Sequence, residues 1–223
     1  MIKIITLFKR RAGMAVEDFQ HRWLHEHGPL AAGMPGMRRY VQSHTLPQGY
    51  RKGELPYDGI SEMWFDSIET WHASRETPGA QAIAADQADF TDAGRTVVMP
   101  VDVLVMKDGA IPDNAVKNIE FVNQRAGMDR DAFRAHWRDI HGPIASRIEV
   151  IRRYEQNPLQ LSEYAAGAMP RYDGLAITWF DSTAAMKQGA TTEAYAVTRA
   201  DEPNFLPDGH LPIIVTREFV LAG

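Results

Sequence analysis

Two segments of the chain repeat each other at an offset of 114 residues, which constrains the fold more than any other feature of the sequence. Residues 11–42 and 125–156 are identical at 14 of 32 positions. Unrelated segments of that length would share about two identities by chance. With one residue inserted, YDGISEMWFDS (57–67) aligns with YDGLAITWFDS (172–182), with 7 of 11 positions identical. The chain is therefore a tandem duplication.

The duplication runs the whole length of the chain. Asp86 aligns with Asp201, and Phe90 aligns with Phe205. Between the halves lies KDGAIPDN, whose Gly, Pro, Asp and Asn residues are typical of a turn and linker. The predicted domains are residues 1–108 and 109–223.

Composition excludes several classes of protein. Hydrophobic residues make up 44% and charged residues 24%, which is typical of a globular protein with a real core. The absence of cysteine excludes disulfides, thiolate metal sites and cysteine nucleophiles. The net charge of −5 argues against nucleic-acid binding, and no stretch reaches the roughly 20 apolar residues of a membrane span. Because the basic cluster at the N-terminus follows the apolar run, we expect no signal peptide and a cytoplasmic protein.

Each half has the predicted order strand, helix, strand, strand, helix, strand, which is typical of a ferredoxin-like α+β fold. The first and last strands of the first half are almost entirely apolar, so both faces of the sheet must be covered. We therefore expect the antiparallel sheets of the two repeats to pack as a dimeric α+β barrel within one chain. In the first half, strands are predicted at 2–8, 38–45, 59–65 and 97–106, with a helical region over 67–86.

The segments WLHEHGPLAAGMPGMRRYVQ and YDGISEMWFDS resemble the EthD family of the dimeric α+β barrel superfamily. The second half resembles a diverged copy of the same module. Members of the superfamily are more similar to one another in fold than in function. They include cofactor-free monooxygenases, polyketide cyclases, methylmuconolactone isomerases and heme-degrading enzymes, generally with a pocket between sheet and helices. The resemblance therefore implies a set of chemistries and not one reaction.

His27 is the first candidate for chemistry. It follows Phe19 and Trp23 at intervals of four residues, so the three side chains share one helix face, and Phe133, Trp137 and His141 repeat the spacing. A partly buried imidazole with a pKa near or below neutral suits proton transfer next to a carbonyl. The alternative is a structural histidine that bonds a backbone carbonyl at the helix end. The resemblance favours the functional role, because relatives carry a histidine with an implicated role at this position.

Other polar and aromatic side chains are predicted to surround His27. Glu62 lies in an otherwise apolar strand, where it either pairs with a partner or titrates high, and both can serve acid–base work. The alternative is an exposed strand face. Trp64 shares its face and either lines the pocket or packs in the core. The candidate catalytic residues are His27, Tyr40, Glu62 and Tyr57. The candidate substrate-binding residues are Trp23, Trp64, Asp58, His44, Arg39, His141, Trp137, Tyr154 and Tyr172.

The repeats differ in their polar residues. The second repeat has Ile177 in place of Glu62, Asp139 in place of His25 and Pro158 in place of His44, so we expect the first repeat to hold the more polar site. His21 and His25 are spaced as two metal ligands on a helix, but the second repeat has no histidine at either place. We therefore predict no metal site and interpret His21 and His25 as solvent-exposed side chains.

The resulting hypothesis is a cofactor-independent acid–base enzyme of lyase, isomerase or cyclase type. Its substrate is expected to be a small hydrophobic, aromatic or lactone-type carbonyl compound of catabolism or secondary metabolism. One alternative is a non-catalytic protein that binds a small ligand, and another is a cofactor-free or heme-using monooxygenase. Neither nucleic acid nor a membrane is an expected partner, and association into a homodimer is left open.

Overall fold

The computed structural model describes the backbone of residues 1–223 and every side chain except that of Ala166. The chain forms two compact units, one made of Met1–Val101 with Thr216–Gly223 and the other of Asp102–Val215. Each unit thus includes a short segment from the other repeat. The predicted boundary at 108/109 falls after the residue where the second unit begins. Among the described residues, no helix has the length and apolar character needed to cross a membrane.

The two units contain nine strands and eight α-helices among the described residues. The strands are β1 (Ile2–Phe8), β2 (Met37–Thr45), β3 (Gly59–Phe65), β4 (Val97–Val101), β5 (Leu104–Lys107), β6 (Val116–Val122), β7 (Ile151–Pro158), β8 (Gly174–Phe180) and β9 (Ile213–Ala222). The helices are α1 (Val16–Arg22), α2 (Gly28–Ala32), α3 (Ile68–Arg75), α4 (Pro78–Phe90), α5 (Arg130–His136), α6 (Gly142–Ala145), α7 (Thr183–Gly189) and α8 (Glu193–Asp201).

The first unit has the strand order β4-β1-β3-β2, and residues 216–222 of β9 follow at the β2 edge. All neighbours are antiparallel, with Ile5 opposite Glu62 on β3 and opposite Met99 on β4. The β9 segment pairs with β2 from Thr45↔Thr216 to Tyr40↔Ala222. This arrangement is a ferredoxin-like antiparallel sheet completed by one additional strand.

The second unit repeats this topology with the order β6-β8-β7-β5, again antiparallel throughout. Here the short strand β5 pairs with β7, the repeat counterpart of β2. The predicted fold class is confirmed: the chain is an α+β protein with two ferredoxin-like repeats.

The single strand predicted over 97–106 is two strands in the structure. Asp102 separates them, and its backbone N–H donates to the carbonyl of Pro158 over 3.0 Å. Its carboxylate accepts from Arg134 at 3.1 Å. Because the backbone and the side chain of Asp102 form hydrogen bonds with these partners, β4 ends before Asp102 and β5 begins after it.

Local capping explains where the helices begin. The helical region predicted over 67–86 is two helices, because Pro78 starts α4 after the Thr77 cap and Ser67 caps α3. Asp129 caps α5 by accepting from the backbone N–H of Ala132. Ala15, the corresponding residue before α1, provides no side-chain cap.

Candidate active site

Each unit holds a cavity between its sheet and its helices. The cavity of the first unit has a volume of about 240 Å³ and that of the second about 230 Å³. We call them the first and the second cavity. His27 and Tyr40 line the first cavity, and their repeat counterparts His141 and Tyr154 line the second.

A π-helical turn at Trp23–His27 brings His27 to the first cavity. The backbone N–H of Gly28 donates to the carbonyl of Trp23, five residues earlier. The amide of Gln42 donates to the same carbonyl over 2.9 Å. A Cβ on residue 28 would lie only 3.1 Å from that amide nitrogen, so the glycine makes room for this contact. Single π-helical turns are frequent at functional sites.

His27 and Asp86 form a dyad at the wall of the first cavity. Nδ1 of His27 lies 2.7 Å from Oδ2 of Asp86, and His27 is 1% exposed. Helix α4 places the carboxylate, and Arg22 contacts its other oxygen at 3.1 Å. No other residue in the described part of the chain hydrogen-bonds His27 through its ring. Nε2 is therefore the ring nitrogen that remains for a molecule in the cavity.

The electrostatics of the dyad fit a neutral imidazole beside a carboxylate. Burial lowers the pKa of His27, although the hydrogen bond and charge of Asp86 oppose this effect. Burial also disfavours ionisation of Asp86, but its hydrogen bonds with His27 and Arg22 outweigh burial and hold its pKa below the ordinary value. A neutral His27 that donates from Nδ1 to Asp86 has an unprotonated Nε2, which can accept a proton.

Tyr40 provides a second polar group in the first cavity. Its hydroxyl oxygen accepts from Nε2 of Gln42 over 2.8 Å, and burial raises its pKa to about 12. The tyrosine therefore stays protonated at neutral pH and is a hydrogen-bond donor. The surrounding walls are mostly apolar, with Ile4, Phe8, Met34, Met63, Trp71 and Ile83 among the lining residues.

His44 and Trp23 support this site from outside the cavity lining. Their rings stack at a centroid distance of 4.4 Å, and Nε2 of His44 contacts Oε1 of Gln42 at 2.9 Å. Burial lowers the pKa of His44 to about 3, so it is neutral and acts as a donor to Gln42. Trp23 also packs against Phe8 and Phe19 in an aromatic core cluster. Both residues thus position the π-helical turn and Tyr40 through Gln42.

The structure does not bring Glu62, Trp64 and Arg39 together with His27. Ser61 and Met63 of β3 line the cavity, so Glu62 and Trp64 point to the opposite face of the sheet, because side chains alternate along a strand. There Glu62 pairs with Nζ of Lys3 at 3.0 Å. The expectation that Glu62 assists His27 is therefore corrected. The guanidinium of Arg39 lies over the Trp64 ring, 5.5 Å from its centroid.

Tyr57 and Asp58 lie in a buried loop and not in the cavity lining. Asp58 is 0% exposed and accepts from the backbone N–H of Arg10 at 2.7 Å and from the Tyr50 hydroxyl at 2.6 Å. Lys9 contacts the same carboxylate at 3.2 Å. Since these bonds tie the loop before β3 to the end of β1, they give Asp58 a supporting role. Tyr172 likewise packs on Phe121, with ring centroids 5.1 Å apart.

The second unit has a matching dyad with different surroundings. Nδ1 of His141 lies 3.0 Å from Oδ2 of Asp201, and burial lowers the pKa of His141. His136 occupies the place of Arg22 and contacts Asp201 at 2.9 Å. Gln156 donates to the carbonyl of Trp137 at 2.6 Å, as Gln42 does for Trp23.

The second cavity is the more polar one, which corrects the expectation that the first repeat holds the more polar site. Its lining includes Glu120, Glu202 and Arg199, whereas the aligned positions of the first repeat are Thr6, Gln87 and Ala84. The expectation rested on Glu62, which faces away from the cavity, and on His25 and His44, which are not part of its lining.

Sequence reasoning missed the carboxylates of both dyads. The signal was available, because Asp86 and Asp201 align in the duplication while the residues around them differ. Their distance from the histidines along the chain concealed the pairing. The rings of His21 and His25 are tilted by 51° to each other, with centroids 4.8 Å apart. The described residues contain no group of three or more His, Asp or Glu side chains suited to holding a metal.

The fold and the two cavities define a duplicated ferredoxin-like α+β protein with a histidine–aspartate dyad in each unit. The EthD domain matches this sequence twice, at residues 11–94 and 125–208, which together exceed half of the chain. The chain therefore belongs to the EthD family and carries the domain in tandem. A comparison with curated proteins finds no significant match.

Solved structures of low sequence identity share the fold over the whole chain. An anthrone oxidase-like protein is 11% identical, with a TM-score of 0.64, over 100% of this chain and 94% of that chain. A protein of Lactobacillus acidophilus NCFM, provisionally named a monooxygenase, is 12% identical with a TM-score of 0.56, over 99% of this chain and 94% of that chain. A mutant chlorite dismutase of Candidatus Nitrospira defluvii is 7% identical with a TM-score of 0.52, over 99% and 92%. At these identities the likeness concerns the fold alone.

Proposed function

We propose that the chain is a cofactor-independent enzyme that catalyses proton transfer at a carbon next to a carbonyl group. The first cavity is the proposed active site, and the observation that carries the proposal is the His27–Asp86 dyad at its wall. The reaction class is an isomerisation, elimination or cyclisation. The substrate is a small hydrophobic carbonyl compound, because the cavity lining is mostly apolar.

In the proposed reaction, Nε2 of His27 removes a proton from the carbon next to the carbonyl, and the C–H electron pair becomes the enolate. Asp86 orients the ring through Nδ1 and balances the charge of the imidazolium that forms. The Tyr40 hydroxyl donates a hydrogen bond to the enolate oxygen. Return of the proton to another carbon gives an isomer, whereas loss of a leaving group gives an elimination product.

Hydrogen–deuterium exchange tests the first step without knowledge of the product. A panel of enolisable aryl ketones and lactones is incubated with the protein in D2O, and deuterium incorporation next to the carbonyl is followed by NMR. We expect incorporation with the wild-type chain and a loss of about a hundredfold or more in His27→Asn, the range that general-base catalysis typically contributes. His21→Asn is the matched control, because His21 is exposed on α1.

Other outcomes assign other functions. Saturable binding of a panel compound without exchange in any condition would indicate a ligand-binding protein. Oxygen uptake coupled to exchange would indicate monooxygenation of the carbanion, and a Soret band in the purified protein would indicate a heme-using enzyme. Exchange that survives in His27→Asn but is lost in His141→Asn would refute the choice of the first cavity.

A further inference from the structure

The second cavity differs from the first by two carboxyl groups that the proposed reaction does not use. Glu120 lies on β6 and Glu202 directly follows α8, and both line the same cavity. The first repeat has Thr6 and Gln87 at the aligned positions, so the duplication alone does not account for these acidic groups. Their surroundings indicate what the cavity accepts.

Glu120 forms no ion pair among the described residues, although the charge of Arg199 partly opposes the effect of burial on it. Its Oε1 accepts from the amide nitrogen of Asn118 at 3.1 Å, and burial raises its pKa. Asn118 is 8% exposed and also lines the cavity. Within the described part of the chain, its Oδ1 is buried without a hydrogen-bond partner. A buried amide oxygen without a hydrogen-bond donor lowers the stability of the fold. The group that is missing at this wall of the cavity is therefore a hydrogen-bond donor.

Glu202 has a cationic partner, but negative charge exceeds positive charge around it. Arg199 forms an ion pair with Glu202, whose side chain is 13% exposed. Burial raises the pKa of Glu202 to about 7, and the charges of Glu120 and Asp201 contribute in the same direction against the effect of Arg199. The other cation of the lining, Lys187, has an exposed side chain. One more positive charge inside the cavity would therefore stabilise these carboxylates.

We propose that the second cavity is a binding site for a small organic ammonium ion, a protonated primary amine attached to an apolar body. Glu120, Glu202 and Asn118 provide acceptor oxygens for the three N–H groups of the ammonium. The apolar body packs against Ile148, Ile151 and Phe180, which line the same cavity. The site is separate from the first cavity and does not depend on the function proposed for His27.

Isothermal titration calorimetry at about pH 8 tests this proposal with three probes of the same shape. They are 2-phenylethylamine, 2-phenylethanol and phenylacetate, which carry a cationic, a neutral and an anionic head group. We expect the amine to bind at least about tenfold more tightly than the alcohol and the carboxylate to bind most weakly, because charge-assisted hydrogen bonds are the stronger ones.

Matched variants locate the binding. Glu120→Gln keeps the side-chain shape and removes the charge, so we expect the amine to lose about tenfold in affinity while the alcohol is unaffected. Glu149→Gln is the control, because Glu149 is an exposed residue outside the cavity lining. His27→Asn is expected to leave amine binding intact, which separates this site from the proposed active site.

Two results would overturn the proposal. One is equal or tighter binding of the alcohol or the carboxylate to the wild-type chain. The other is unchanged amine affinity in a folded Glu120→Gln protein. Folding of this variant is checked by circular dichroism and thermal unfolding, and we expect a Tm no lower than that of the wild type, because the variant removes a carboxyl group whose charge is disfavoured by burial.

Discussion

The substitution Asp86→Asn tests whether Asp86 sets the pKa of His27 and the ring nitrogen that carries its proton. It removes the negative charge 2.7 Å from Nδ1 and leaves the side-chain volume almost unchanged. Unit charges about 4 Å apart interact by about 4 kcal/mol at an effective dielectric constant of about 20, which is about 3 pKa units. Because Asp86 is 25% exposed and also pairs with Arg22, we expect a smaller effect.

We therefore expect the pKa of His27, already lowered by burial, to fall by about a further 1 to 2 units in Asp86→Asn. The loss of charge balance should also slow proton exchange at the substrate by about a hundredfold. Long-range 1H–15N NMR spectra of ring-labelled histidine, recorded across a pH titration, report both the pKa and the nitrogen that carries the proton. In the wild type at neutral pH, the proton should reside on Nδ1.

Asp89→Asn is the matched control, since Asp89 also contacts Arg22, at 3.5 Å, but is 70% exposed and has no contact with His27 among the described residues. The His27 pKa should stay close to the wild-type value in this variant. Equal His27 pKa values in the Asp86 and Asp89 variants, or a wild-type ring protonated on Nε2 at neutral pH, would contradict the reasoning.

Three further predictions concern stability. Because the folded pKa of His44 is depressed to about 3, its contribution is complete above its unfolded pKa of about 6.5 and declines on acidification. In urea unfolding, the stability lost between pH 7.5 and 5 should therefore be about 2 kcal/mol smaller in His44→Gln than in the wild type, while the lowered pKa values of His27 and His141 still contribute in both proteins. Gly59→Ala should lower the free energy of unfolding by about 1 to 3 kcal/mol, because its Cβ would lie 2.5 Å from the Trp23 ring, and chemical denaturation measures this. Gln42→Leu should cost more stability than Gln156→Leu in the same assay, because Oε1 of Gln42 is hydrogen-bonded whereas Oε1 of Gln156 has no partner among the described residues; equal losses would contradict this.

The local pattern of the sequence predicted the repeating architecture well. Alternation and composition identified β1 and β3 with their observed ends. These features depend on neighbours within a few residues along the chain, so they can be read from the sequence. The strand break at Asp102 could not be, because its partners lie far away along the chain.

The candidate site was predicted only in part. The helical spacing and the resemblance singled out His27, and the structure places it with Tyr40 at one cavity. Alternation correctly placed Glu62 and Trp64 on one face of β3, but it cannot tell which face the helices cover. That choice depends on how α3 and α4 pack on the sheet, and it put both side chains on the side away from His27.

By itself, the sequence determined that this chain is a duplicated α+β protein. Identities between repeats and hydrophobic periodicity depend only on the order of the residues along the chain. Only the tertiary structure decided which side chains meet. Asp86 reaches His27 across 59 residues of chain, and Glu120 and Glu202 come together at one cavity from opposite ends of the second repeat. The physical reason is that proton transfer and ion binding depend on distances of a few ångströms between groups, and folding alone sets those distances.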